Sequence, residues 1–216
     1  FSLAAYEKLF AAGSSNLKAL ATSVAIALAS SLLATAAALR ICTSIARSSK
    51  TGIATDVAVM LPMVTSSVIV GLSYFIVSKY MKFMPPFAMV ILAHSVITMP
   101  FVVRTILPAY RKIPANLVNA SYTLGFGARK TFRRIIRPIL MPAMLTGMVF
   151  SFAMSMGELN ATLLLGTTSM QTIPIQIYRL ISSYNYQGAC ALGCILILVC
   201  FVVFFISETL KRRSYV

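Results

Sequence analysis

Leu192-Gly-Cys-Ile-Leu-Ile-Leu-Val-Cys-Phe-Val-Val-Phe-Phe-Ile206 carries no charged side chain and shows no alternation of polar with apolar positions. A strand of a transmembrane barrel alternates with period two, because one face meets lipid and the other the lumen, so this run is not such a strand. A helix satisfies its backbone N–H and C=O groups internally, which is what hydrocarbon demands. Extended to 188–207, the run reaches the ~17–25 residues needed to cross a bilayer. Four further apolar stretches, at about 19–39, 57–77, 87–103 and 139–158, predict a bundle of about five spans.

Composition agrees. Residues are 59% hydrophobic and only 11% charged, with a mean hydropathy of +0.88, which leaves too little polar surface for a water-soluble domain of 216 residues. Disorder is excluded by the same figures. The net charge of +15 would point to nucleic acid in a soluble protein. Here the basic residues gather between the apolar runs, the pattern that orients a multispanning protein, and no nucleic-acid partner is expected.

If the loop from Arg104 to Arg137 lies inside, fourteen Lys and Arg residues are cytoplasmic and only Lys8, Lys18, Lys79, Lys82 and Arg179 lie outside. That asymmetry predicts an outward amino end and a cytoplasmic carboxyl end. The chain opens on a short amphiphilic lead-in, Phe1 to Phe10, without an initiator Met, and is expected to be a segment of something longer. Ala21, Ala25, Ala29, Ala34 and Ala38 at helical spacing predict close helix packing. Pro62, Pro100 and Pro142 are expected to interrupt or end helices in or near the membrane.

The loop at 105–137 is not a passive connector. Pro114 can open a short helix that ends at Gly125, where a residue without Cβ turns left-handed at little cost. A second helix begins near Ala128, with Phe132, Ile135 and Ile136 on one face and Arg129, Lys130, Arg133 and Arg134 on another. Two short helices meeting at a glycine form a protruding knob.

Asn119-Ala-Ser-Tyr-Thr-Leu-Gly125, followed by Ile135-Ile-Arg-Pro138, resembles the cytoplasmic motif of binding-protein-dependent ABC importer permeases. That motif reads Glu-Ala-Ala, three residues, Gly, nine residues, Ile, one residue, Leu-Pro. Ala120, Gly125, Ile135 and Pro138 match it, while Asn119, Ser121 and Arg137 depart from it. Leu61-Pro62, Leu92-Ala-His94, Pro100-Phe-Val-Val-Arg104 and Gly157-Glu-Leu-Asn160, taken in order, resemble a permease branch that includes thiamine and iron(III) importers, often two fused halves, of which this piece resembles the second.

The resemblance implies an all-α polytopic bundle, a type I ABC importer transmembrane domain over 1–216, in a bacterial cytoplasmic membrane. It implies coupling to an ATPase through Asn119, Ala120, Ser121, Leu124, Gly125, Ile135 and Pro138. The implied partners are a cytoplasmic ABC ATPase dimer, an extracytoplasmic solute-binding protein, a second permease half and membrane lipid. No Gly-rich phosphate loop ending in Lys-Ser or Lys-Thr is present, so the chain is expected to be a transport component and no enzyme, with ATP and Mg held by the partner.

Glu158 and Asn160, at the end of the fourth span, are candidates for pathway lining or gating, against the alternative of hydrogen bonding at the outer interface. Asp56 is expected to favour the amino end of the second span's helix. His94, the one histidine, lacks partner ligands for a metal and is expected to make an interhelical hydrogen bond. Cys42, Cys190, Cys194 and Cys200 read as small hydrophobes, without CxxC spacing. Ile177, Leu180, Ile181 and Tyr184 predict an interfacial helix on the outer side, where a binding protein could dock. An ion-coupled secondary transporter or channel would keep the bundle but has no use for the loop.

Overall fold

The computed structural model describes residues 15–47, 49–80, 84–166 and 170–214, and no strand occurs among them. The lead-in from Phe1 to Phe10 lies outside the described residues, as does Lys82. Ten α-helices follow in order: α1 Ser15–Arg47, α2 Ser49–Val64, α3 Ser67–Tyr80, α4 Pro86–Arg111, α5 Ala115–Thr123, α6 Ala128–Thr131, α7 Arg137–Gly157, α8 Asn160–Leu165, α9 Ile173–Ser182 and α10 Tyr186–Ser214. A wide π turn, Phe132–Ile136, joins α6 to α7, so that Ala128–Gly157 runs as one helix of 30 residues. Among the described residues four helices are long and apolar enough to cross a membrane, and the count is five if the bent pair α2 and α3 is taken as one broken span.

Helices α1 and α4 run side by side in the same direction, α7 runs against both, and the three form the centre, with α2 and α3 on one flank and α9 and α10 on another. Close packing comes from small side chains, but not all of the ones that spacing picked out. Ala34 and Ala38 are fully buried as expected, whereas Ala21 and Ala25 face outward and Ala29 is half-buried. The contact stripe of α1 is Ser23, Ala27, Ser30, Ala34 and Ala38, in which serines fill steps that a search for alanines passes over. On α7, a Cβ at Gly147 would sit 3.0 Å from Val102 Cγ1 and 3.3 Å from Val102 Cα, so glycine permits the approach of α4. Three apolar clusters result. One, toward the knob, is built around Ala38, Cys42, Val103, Ile106 and Leu140; the other two lie at the opposite end around Phe152, Met156 and Leu192, and around Val90, Ala93 and Ala161.

The stretch 57–77 is not one straight span. Its two helices bend by 100° at Thr65 and Ser66. Pro62 cannot donate to Ala58, and the freed end closes by Thr65 N–H and Thr65 Oγ1 both donating to Leu61 O at 3.2 and 2.9 Å. Ser66 Oγ then accepts from Val68 N–H at 3.4 Å, starting α3. Pro100 and Pro142, by contrast, sit inside the continuous helices α4 and α7, which corrects the expectation that they break or end them. Asp56 is also displaced from its expected place: it lies well inside α2, and its Oδ1 is buried without a hydrogen-bond partner.

Candidate functional site

The knob forms as its residues dictate. Pro114, extended at φ −64° and ψ 133°, precedes α5. The last turn of α5 closes through Leu124 N–H to Ala120 O at 3.1 Å, Gly125 N–H to Tyr122 O at 2.9 Å and Phe126 N–H to Ser121 O at 3.0 Å. This closure needs one left-handed residue, and Gly125 supplies it at φ +77°. No atom lies within 4 Å of a Cβ built there, so backbone conformation and not space demands the glycine. Gly127 then opens α6 by accepting from Lys130 and Thr131 N–H at 2.9 and 3.0 Å.

The two short helices are tied side to side by Ser121 Oγ and Thr131 Oγ1 at 2.9 Å, both hydroxyls being buried. Ser121 gives its only proton to Val118 O at 2.7 Å, so Thr131 is the donor of the pair. Buried positions then step Thr131, Ile136, Leu140, a five-residue interval across the π turn that keeps one face against the core. That wide turn directly precedes Pro138, which has no N–H for Arg134 O.

Of the residues assigned to this site from the sequence, Ser121 is buried and Ile135 is half-buried. Asn119, Ala120, Gly125 and Pro138 are exposed, and Leu124 is 77% exposed at the tip. Tyr122 and Leu117 are exposed apolar side chains of the same helix, and Arg129, Lys130, Arg133 and Arg134 are exposed on the stretch that follows. Behind the corner, Tyr110, Val118, Asn119, Tyr122 and Phe132 line a cleft of about 290 Å³. Thr131 is not among the site residues read from the sequence, where it stands only as an accessible loop position, and its burial corrects that reading.

At the other end of the bundle, His94 joins three elements. Its Nδ1 lies 2.7 Å from Ser155 Oγ on α7 and its Nε2 lies 2.9 Å from Thr162 Oγ1 on α8. Ser30 on α1 donates to Ser155 Oγ at 2.9 Å, and Thr162 donates to Glu158 O at 3.3 Å. Each ring nitrogen of His94 thus meets a hydroxyl on a different helix, Ser155 on α7 and Thr162 on α8. Ser151, Thr98 and the His94 carbonyl extend the network by bonds of 2.7 and 2.9 Å. The expected interhelical bond of His94 is therefore present twice, and its partners Ser155, Thr162 and Ser30 were legible only as polar positions in apolar spans. No group of three His, Cys, Asp or Glu side chains arranged for a metal occurs among the described residues.

Glu158 ends α7, and its Oε1 accepts from Asn160 N–H at 3.0 Å and Ala161 N–H at 3.2 Å, capping α8. Asn160 Nδ2 donates to Ser67 Oγ at 2.9 Å and so fastens the start of α8 to the start of α3. Ile177 and Leu180 of α9 pack inward on the cluster containing Phe152 and Leu192, whereas Ile181 and, just past the helix, Tyr184 stay exposed.

Residues 45–214 match the sequence family described as "Binding-protein-dependent transport system inner membrane component". The probable sulfate transport system permease protein cysT of Nephroselmis olivacea is 34% identical over 113 residues, covering 51% of this chain and 40% of that protein. The molybdenum transport system permease protein ModB of Haemophilus influenzae is 33% identical over 129 residues, 57% of this chain and 56% of that one. The match thus spans about half the length of these curated relatives, 40% and 56%. In fold, the chain superimposes on a bacterial ABC transporter involved in import of the acidic polysaccharide alginate, with a TM-score of 0.82 at 18% identity, covering 99% of this chain and 84% of the other. An inward-facing MetNI methionine ABC transporter gives 0.77 at 14% identity, over 92% and 95% of the two chains.

Proposed function

Because the chain belongs to the family of binding-protein-dependent transport system inner membrane components, we propose that it is a permease half of an ATP-driven importer and that its knob seats on a cytoplasmic ATPase. The observation that carries this reading is the corner at Gly125, held left-handed at φ +77° and tied by Ser121 and Thr131. A protruding corner with an apolar tip is suited to docking in a protein groove, while its buried hydroxyl pair keeps the two helices from shearing. The knob continues through the π turn into α7, so motion imposed on it reaches the outer end of the bundle along one helix.

On this reading ATP and its Mg²⁺ bind the ATPase, solute arrives on an extracytoplasmic binding protein, and a second permease half, fused or separate, completes the pathway. The loop and the carboxyl end are cytoplasmic, as the distribution of basic residues predicts. For cargo, the sequence resemblance favours thiamine or iron(III), whereas the curated relatives carry sulfate and molybdenum in their names. We give the oxyanions precedence because that observation rests on aligned sequence. The test is uptake into vesicles containing the permease, its ATPase and its binding protein. ATP-dependent entry of a binding-protein ligand is expected, and uptake driven by an ion gradient without ATP would favour a secondary transporter instead.

A further inference from the structure

Between α1 and the helix that runs from α6 into α7 lies an open cleft of about 620 Å³, continuous in its lining with a second of about 560 Å³. Its walls are graded. Arg40 and Arg129 stand at the mouth near the knob, Arg133 and Arg137 follow, and Leu32, Leu39, Met141, Met144 and Met148 line the depth. No acidic residue lines either part, and among the described residues none of the four guanidiniums has an ion pair or hydrogen bond.

We infer that this cleft binds one anionic phospholipid of the cytoplasmic leaflet, its phosphate among Arg129, Arg133 and Arg137 and an acyl chain along the methionines. Charge complementarity selects an anion over a zwitterion, and basic recesses between spans on the cytoplasmic side take such headgroups. Length selects a lipid over a helix. The apolar part of the lining on this helix, Met141 to Met148, runs only about 10 Å at 1.5 Å per residue beyond Arg129, Arg133 and Arg137, well short of the ~30 Å of hydrocarbon that a spanning helix would follow. A packed helix of a second permease half would need an apolar groove of full span length, without arginines a third of the way in. Methionine suits the depth, because an unbranched thioether adapts to a mobile chain. The position in the cytoplasmic leaflet rests on the orientation proposed above.

The test uses the full transporter complex in vesicles containing either phosphatidylglycerol or phosphatidylcholine that bears a photoactivatable diazirine on its acyl chain. Crosslinked peptides are mapped by mass spectrometry. The expected result is labelling of the peptide containing Met141 to Met148 by phosphatidylglycerol well above phosphatidylcholine. Arg133→Gln should lower it by about fivefold, the equivalent of ~1 kcal/mol for one basic residue at an anionic surface. Arg133→Lys should restore most of it, and Arg179→Gln, on the outer side, should change nothing. Equal labelling by the two lipids, absence of labelling because protein covers the cleft, or displacement by added sulfate or molybdate would each overturn the proposal. Cysteine labelling of the knob reports orientation separately, so a failed orientation is distinguishable from a failed lipid site.

Discussion

Thr131 Oγ1 donates to Ser121 Oγ at 2.9 Å across a corner that no other side-chain hydrogen bond among the described residues spans. A neutral hydrogen bond of this kind contributes about 1 kcal/mol, with a further cost if one buried partner is left unmet. Thr131→Val removes the donor while keeping shape, and Ser121 retains its bond to Val118 O. The expected outcome is a normal amount of permease in the membrane with reduced ATPase association. In a cycle with Ser121→Ala the two effects should fall short of additive, and full additivity would show that the pair is not coupled.

Gly125 should rank substitutions by backbone tolerance and not by size, since nothing lies within 4 Å of a Cβ there. Asparagine should be nearly neutral, alanine should cost about 1 kcal/mol and valine more, because a β-branched residue resists the left-handed region most. Solute uptake and stimulated ATP hydrolysis, measured beside protein level, should fall together in that order. Wild-type uptake with Gly125→Val would remove coupling from this corner.

Orientation is read best at the tip. A cysteine replacing the exposed Leu124 should react only with reagents that reach the cytoplasm, and one replacing Ser182 only from outside. Thr131 belongs to the same loop but is 1% exposed, so labelling there would report burial and not sidedness.

Glu158 is expected to act through Oε1 on the two amides of α8. Glu158→Gln keeps that acceptor and loses only the charge at the helix start, worth ~0.3–1 kcal/mol, so uptake should stay near wild type. Glu158→Ala removes the cap, costing about 1 kcal/mol, and uptake should drop. If Gln is as damaging as Ala, the charge itself serves the pathway.

His94→Ala would take one of two partners from each of the buried hydroxyls of Ser155 and Thr162, which keep Ser30 Oγ and Glu158 O, and would open a cavity between α4, α7 and α8, at about 1–3 kcal/mol in all. A clear fall in the thermal midpoint of the purified permease in detergent is expected, with His94→Gln intermediate. An unchanged midpoint would mean that the hydroxyls repair themselves within the network.

The apolar runs, the knob and its glycine could all be read along the chain because each has a local physical cause. Hydrocarbon thickness sets run length, and a left-handed corner asks for a residue without Cβ. What could not be read depends on which face turns inward. Ala21 and Ala25 share the spacing of Ala34 and Ala38, yet only the latter two meet α4 and α7. The 100° bend followed from Pro62 only in the company of Thr65 and Ser66, while Pro100 and Pro142 have the same chemistry inside unbroken helices. The outer corner shows the limit best. Tyr184 takes φ +60° to close α9, the conformation that Gly125 takes at the knob, with no glycine to announce it.

The 30 residues from Ala128 to Gly157 make a rod about 45 Å long at 1.5 Å per residue, with the knob at one end and the Glu158 cap at the other. Rocking that rod by about 5° around its knob end would carry Glu158 about 4 Å sideways, by the same length. A hydrogen bond tolerates a few tenths of an ångström. The contacts of Glu158 with Asn160 and Ala161, and of Asn160 with Ser67, therefore allow two courses: α8 and α3 travel with the rod as one body, or the bond to Ser67 parts and leaves α3 behind.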